Sequence, residues 1–395
     1  MKITFVVPKL FKRSFSAGVM VILKHANAMV KRGHEVSIVP YSGSERPEWI
    51  ELKAGLILDD GPNVIQRGVS KLGMGHDLYK SPDVQAALNK VSIIERLPDA
   101  DITIATFWET AEIVADYGVG TKVYLMQSFE SGFYELGSPE HRGALSSYQL
   151  PLHQIANSTW LKRMVTEYQA LHGFKQDISL VVNGIDHEVF NAVESPNVTR
   201  SENHLILISY GGRGAELKGF RSMAEAVRRV RAELPQYTIE WHVFGQCELS
   251  PENEIAPYKA LGFLSQPKLA EALTEADICL SASQFESFPM FPLEAMCCGT
   301  AVVASDVGAD DYLWHEKTAE VIDPNDLESI TNGLSRLIVN REYREKLINE
   351  ALLMARNFSW SSSFDAFEET LFKVRGKSIS RTLLVKPSDN LQSFI

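Results

Sequence analysis

A chain of 395 residues, 45% apolar and 23% charged, has the composition of a globular protein and the length for two domains, each with its own core. Its formal net charge of −11 argues against nucleic acid as a general partner. No apolar run is long enough to span a bilayer, and "MKITFVVPKLFKRSF" is too short and wrongly flanked for a signal peptide, so a cytoplasmic protein is expected.

The charge is unevenly spread. Residues 1–170 carry 18 Lys or Arg and 18 Asp or Glu, so the whole deficit falls in residues 171–395. Within the neutral part, Lys9, Lys12 and Arg13 form a basic cluster, read either as a solvated loop or as a peripheral contact with the inner membrane surface. The four cysteines (Cys247, Cys279, Cys297 and Cys298) lack metal-site spacing and read as buried reduced thiols. No metal is expected.

In chain order, "KITFVVP" is a short apolar run closed by proline, as expected of a buried parallel strand. The polar "FKRSFSAG" follows, ending at Gly18. Val19, Ile22, Leu23, Ala26, Met29 and Val30 then recur at helical spacing, and "KRGHE" supplies a basic last turn and a terminating glycine. "VSIVPY" reads as the second strand, with further strands at 101–107, 122–127 and 153–158. This alternation predicts an α/β, doubly wound domain. After about residue 200 the pattern restarts, with strands at 205–212, 239–245, 258–264, 276–283, 300–305 and 319–322 and a helix from about Gly219 to Leu234.

The turn-rich stretch 181–203 suits a linker, and "SFDAFEETLFKV" reads as an amphipathic helix near the C-terminus. The expected division is 1–170, 171–360 and a helix and tail over 361–395 returning to the first domain. Two such Rossmann-like domains facing each other make a cleft, because ligands of open parallel sheets bind at the strands' carboxyl ends.

Two loops at such ends carry chemistry. In "SYGGRGAELKGF", Arg213 and Lys218 stand five apart between a strand and a helix, where both heads can converge on one diphosphate. A nicotinamide fingerprint needs glycine at 217, where the chain has Leu217. The alternative is a surface loop with two solvated cations. In "FESFPMFPLEAMCCGTAVVAS", Glu286 and Glu294 are separated by seven residues that include Pro289 and Pro292. One helix cannot carry both, since Pro292 lacks the N–H of a helix interior. Glu286 is expected in a loop, Pro292 at the first helical position and Glu294 in the first turn, beside N–H groups that attract anions. The alternative is a capped helix with a solvated acidic turn.

The order of these motifs, Arg213…Lys218-Gly219, then Glu286, seven residues, Glu294-Ala295-Met296 and Gly299-Thr300, resembles the family 4 retaining glycosyltransferases of GT-B fold. "SAGVMVILKHANAMVKRGHEV" resembles their opening loop and helix, "NGIDHEVF" their interdomain segment and "FSWSSSFDAFEETL" their last helix. The resemblance implies a nucleotide-sugar donor and no other cofactor. Arg213 and Lys218 would bind its diphosphate, Glu294 the ribose and Glu286 the sugar, with Phe288 and Pro289 beside them and the Gly18 loop approaching the phosphates. Where relatives carry a histidine near the sugar, this chain has Gln127, followed by Phe129 and Glu130 in "MQSFESGFY". That stretch, with "SYQLPLHQIANSTWLK", resembles the rhamnan-assembling rhamnosyltransferase branch, implying dTDP-L-rhamnose as donor. Phe129 or Phe133 would then offer an apolar contact to its methyl group; the alternative is that both are core residues. The acceptor would be a glycan or lipid-linked glycan of a surface polysaccharide. A hexosyltransferase using a UDP- or GDP-sugar, a nucleotide-sugar 2-epimerase and a non-catalytic partner subunit are the competing readings.

Overall fold

The computed structural model describes residues 1–59, 82–192, 201–212, 217–245 and 252–384. The chain divides into two units, one formed by 1–157, 161–181 and 364–395, the other by 158–160 and 182–363.

The first unit is built on a parallel sheet. Its strands are β1 (Lys2–Val7), β2 (Glu35–Pro40), β3 (Gly55–Leu56), β4 (Ile102–Ala105), β5 (Thr121–Met126), β6 (His153–Ala156) and β8 (Ile178–Leu180), in spatial order β3-β2-β1-β4-β5-β6-β8. Strands covered on both faces need continuous apolar runs. Accordingly five of the six β1 residues and all four of β4 are buried. Helix Ala17–Lys31 brings Leu23, Ala26 and Met29 onto Ile3, Phe5 and Val7, and Phe367, Leu371 and Val374 of helix Trp360–Val374 complete this core. A short antiparallel pair, β7 (Phe174–Gln176) with β15 (Arg381–Leu383), ties down the end of the described chain.

The second unit repeats the plan with β9 (His204–Tyr210), β10 (Thr238–Phe244), β11 (Lys259–Gly262), β12 (Ile278–Ser281), β13 (Ala301–Ala304) and β14 (Glu320–Val321), ordered β11-β10-β9-β12-β13-β14 and all parallel. Side chains alternate along β9: Leu205 and Leu207 join one core with Val227, Trp241 and Leu334, while Ile206 and Ile208 join another with Leu293, Met296 and Val302. That period of two is what a strand with helices on both sides requires.

Both sheets reverse their order beside the first strand, between β1 and β4 and between β9 and β12. At such a switch point the loops after the two strands part and leave a crevice at the carboxyl ends. In the second unit those loops are the ones holding Lys218 and Glu286.

One expectation needs correction. The helix after β12 runs Met290–Cys297 with Pro289 as its N-cap, so Pro292 is its third residue rather than its first, and Glu294 falls in its second turn. The first four N–H groups of a helix have no intrahelical partner, so proline is accommodated at the third position as well as the first.

Candidate functional site

After β9 the backbone passes Gly211 and Gly212; Arg213 lies outside the described residues. The loop resumes at Leu217, Lys218 and Gly219. Gly219 has φ +67°, and a Cβ there would stand 2.1 Å from the Ala282 carbonyl oxygen, so only glycine lets this loop approach the one after β12. The Gln284 N–H donates to the Leu217 carbonyl at 2.8 Å, joining the two loops again.

Across this junction the Lys218 Nζ donates to Glu286 Oε1. The side chains retain 30% and 19% exposure, so the pair is partly desolvated and still open to a ligand. Glu286 is held from beneath by Gly308, and Ser305 Oγ donates to the Ser283 carbonyl at 2.5 Å. The Tyr312 hydroxyl donates to the Pro289 carbonyl, fixing the entry to helix Met290–Cys297. Glu294, on that helix, is 7% exposed. Phe288 is buried, its ring against Tyr312 at 5.6 Å and Phe358 at 6.1 Å, so its side chain belongs to the core. Pro289 is buried as well.

The candidates of the first unit fall differently. Gly18 is inside the first turn of helix Ala17–Lys31 rather than in the preceding loop, and a Cβ there would meet nothing within 4 Å. Gln127 lies just past β5. The Asn157 Nδ2 donates to the Gln127 carbonyl at 2.9 Å, while the Gln127 side-chain Nε2 is buried with no hydrogen-bond partner among the described residues. Phe129 is buried and stacked on Tyr148, with ring centroids 5.1 Å apart, whereas Phe133 is 51% exposed.

Glu130 is also buried. Its Oε2 accepts from the Trp108 N–H at 2.6 Å and the Tyr124 hydroxyl at 3.1 Å, at the N-terminus of helix Trp108–Tyr117. Burial pushes its carboxyl up to about 8. The residues expected to surround a sugar in this stretch thus include two, Phe129 and Glu130, whose side chains pack into the unit's interior.

Sequence reasoning missed a cavity of about 200 Å³ in this unit, lined in part by Tyr41, Trp108, Glu109 and Glu112. The Tyr41 hydroxyl donates to Glu109 Oε2 at 2.6 Å. Trp108, three residues past the end of β4 and first in the helix that follows, is the signal available, since that loop sits at the switch point.

Of the basic cluster, Lys12 and Arg13 approach Glu48 at 3.0 and 3.8 Å, which offsets part of its charge. Among the described residues no helix is long and apolar enough to cross a membrane, and no group of three or more His, Cys, Asp or Glu is placed to hold a metal. Cys279, Cys297 and Cys298 are buried free thiols, and burial pushes Cys297 and Cys298 up to about 12. Cys247 lies outside the described residues.

A lysine and a partly desolvated carboxylate therefore meet at the carboxyl ends of one parallel sheet, and a second, more buried carboxylate stands in the helix that follows. Cation and carboxylates together suit a ligand that is both anionic and polyhydroxylated.

Residues 205–340 match the family described as Glycosyl transferases group 1. An uncharacterised glycosyltransferase of Methanocaldococcus jannaschii is 23% identical over 364 residues, covering 85% of this chain and 89% of that protein. The O-antigen biosynthesis protein RfbC of Myxococcus xanthus is 25% identical over 283 residues, 70% of this chain but only 21% of that longer protein. Among solved structures, the Anabaena protein HepE in complex with UDP and glucose superposes with a TM-score of 0.66 at 15% identity, covering 94% of this chain and 100% of that one. The chain has the GT-B fold, and its second unit carries the match to the group 1 glycosyl transferases.

Proposed function

We propose that this protein is a retaining glycosyltransferase that moves a sugar from a nucleotide-sugar to a glycan or lipid-linked glycan acceptor. The observation carrying this reading is the meeting of Lys218 and Glu286 at the switch point of the second sheet, inside the segment that matches group 1. Lys218, with Arg213, neutralises the diphosphate; Glu286 takes the hydroxyls of the sugar and Glu294 those of the ribose. The departing group is a nucleoside diphosphate, so stabilising its charge is the largest demand on the site, and fixed cations meet it. The acceptor oxygen attacks the anomeric carbon on the face the phosphate leaves, and the bond to the phosphate oxygen breaks with its electron pair. The acceptor's proton passes to the departing phosphate.

For the donor we propose dTDP-L-rhamnose, and for the product a surface polysaccharide. The sequence around Gln127 and the similarity to an O-antigen biosynthesis protein support this. A second reading, transfer of a hexose from a UDP-sugar, is favoured by the likeness to a protein solved with UDP and glucose. Purified protein incubated with each nucleotide-sugar, with and without a rhamnose-terminated acceptor, tests these together. Release of nucleoside diphosphate with an α- or β-linkage matching the donor's is expected. Inversion at the anomeric carbon, or isomerisation of donor alone, would refute the assignment.

A further inference from the structure

We infer that Glu286 competes with the donor's diphosphate for Lys218, so that the site favours the intact nucleotide-sugar over the spent nucleoside diphosphate. This rests on the reading that Lys218 meets the diphosphate and Glu286 the sugar.

The competition follows from how firmly the two side chains are held together. Three backbone contacts fix their loops: the Gln284 N–H on the Leu217 carbonyl at 2.8 Å, Gly219 against the Ala282 carbonyl, and Gly308 against the Glu286 carbonyl. At Gly219 and Gly308 the approach is possible only without a Cβ, and both glycines have positive φ. The Lys218–Glu286 contact is therefore the resting arrangement of a stiff frame, unlike a chance pairing of two long surface chains, which contributes little.

Lys218 has three N–H donors, but a diphosphate that draws them towards itself weakens the contact with Glu286. That carboxylate, 19% exposed, then lies partly desolvated beside a ligand of its own sign. An intact donor relieves this, because sugar hydroxyls donate to the carboxylate. A nucleoside diphosphate lacks that sugar, and its ribose hydroxyls are the ones assigned to Glu294. Once the sugar has left, Glu286 reclaims Lys218 and the product is weakened. Glu286 is in this sense a specificity-determining residue: it couples the sugar subsite to the phosphate subsite with opposite signs for donor and product.

Calorimetric titration of the full chain tests this, using UDP, dTDP, UDP-glucose and dTDP-L-rhamnose against wild type, Glu286→Gln, Lys218→Gln and the double variant, with Tm as the check on folding. In Glu286→Gln the nucleoside diphosphate is expected to bind about three- to tenfold tighter, while the preferred nucleotide-sugar binds more weakly. In the Lys218→Gln background the same substitution should change nucleoside diphosphate affinity by less than about twofold, the range of additive effects. Unchanged or weaker affinity in Glu286→Gln, or an equal gain without Lys218, would overturn the competition and leave the glycosyltransferase reading intact. Failure of the wild type to bind any of the four ligands would instead overturn the functional reading itself. Should Glu286→Gln not fold, Glu286→Ala, which also removes the competing carboxylate, gives the same comparison.

Discussion

Gly308 lies directly against the Glu286 backbone: at φ +76°, a Cβ on residue 308 would stand 2.6 Å from the carbonyl carbon and oxygen of residue 286. The loop after β13 thereby sets the height of the loop after β12. An alanine at 308 strains its own backbone and pushes on a carbonyl that has no flexible side chain to yield. Gly308→Ala is expected to destabilise by about 1–3 kcal/mol and to lower kcat/KM about 10²-fold by displacing Glu286. Gly262, at φ +67° with nothing within 4 Å of its would-be Cβ, is the control. Thermal unfolding and steady-state kinetics should show strain alone in Gly262→Ala, and equal kinetic loss in both variants would contradict the role given to Gly308.

Lys218→Ala and Arg213→Ala should each lower turnover about 10²- to 10³-fold, the usual effect of removing one preorganised donor from a developing charge. The fold should survive, since among the described residues Lys218 bonds a single side chain, the partly exposed Glu286. Single-turnover rates and melting curves measured side by side decide it. Near-normal rates in both variants would remove the diphosphate assignment.

Glu294 should act on the nucleoside rather than the sugar. It sits 7% exposed in the second turn of helix Met290–Cys297, where a carboxylate can accept from ribose hydroxyls. Glu294→Gln is expected to weaken nucleoside diphosphate affinity about tenfold, in keeping with hydrogen bonds to a charged group. Calorimetry with the free nucleoside diphosphate reads this directly, and tightening, as expected for Glu286→Gln, would reverse the roles of the two glutamates.

Much of this frame was legible in the residues. Apolar runs such as "KITFVV" and "ITIA" mark buried parallel strands because both faces are covered, and the strand-then-glycine pattern after Tyr210 marks a loop at a carboxyl end. The start of helix Met290–Cys297 was displaced by two residues because proline satisfies the first turn at more than one position. The three-residue strands β7 and β8 are too short to show a period. Tertiary contacts were out of reach: Lys218 and Glu286 are 68 residues apart, and the contact of Gly308 with Glu286 depends on where two loops meet. Glu130 shows the same limit, since nothing in "SFESGF" itself tells that the Tyr124 and Tyr148 hydroxyls bond to this residue.

That burial predicts a pH dependence of stability. The Glu130 carboxyl is pushed up to about 8 in the folded protein by loss of hydration, against an ordinary carboxylate value when unfolded. Between about pH 4.5 and 8 the folded chain therefore holds a proton that the unfolded chain has lost. The stability tied to this group is fully present below the unfolded value and falls as pH rises, levelling off above 8. Glu130→Gln keeps an acceptor for the Trp108 N–H and removes the titration. The Tm of wild type relative to Glu130→Gln should fall steadily from pH 5 to pH 8, by an amount worth a few kcal/mol at most. A difference independent of pH, or one that grows, would show that Glu130 is ionised in the folded state.

The choice of donor is the remaining prediction, and the side chains available for it are narrower than the sequence suggested. Phe129 is stacked on Tyr148 in the interior, so Phe129→Ala should act on stability, at about 3–5 kcal/mol, with no selective effect on any donor. Phe133 is half-exposed, and the buried Nε2 of Gln127 has hydrogens to give and no acceptor among the described residues. If dTDP-L-rhamnose is the donor, an apolar contact from Phe133 to its methyl group contributes about 1–3 kcal/mol, and Phe133→Ala should lower kcat/KM for that donor about 10- to 100-fold relative to UDP-glucose. Gln127→Ala should lower kcat/KM without lowering Tm, because the donor it removes has no partner to lose. Competition of dTDP-L-rhamnose, UDP-glucose and GDP-mannose for one rhamnose-terminated acceptor reads both effects at once. A clear preference of the wild type for either hexose would leave the transferase assignment standing and withdraw rhamnose; unchanged donor ratios in Phe133→Ala would withdraw the methyl contact alone.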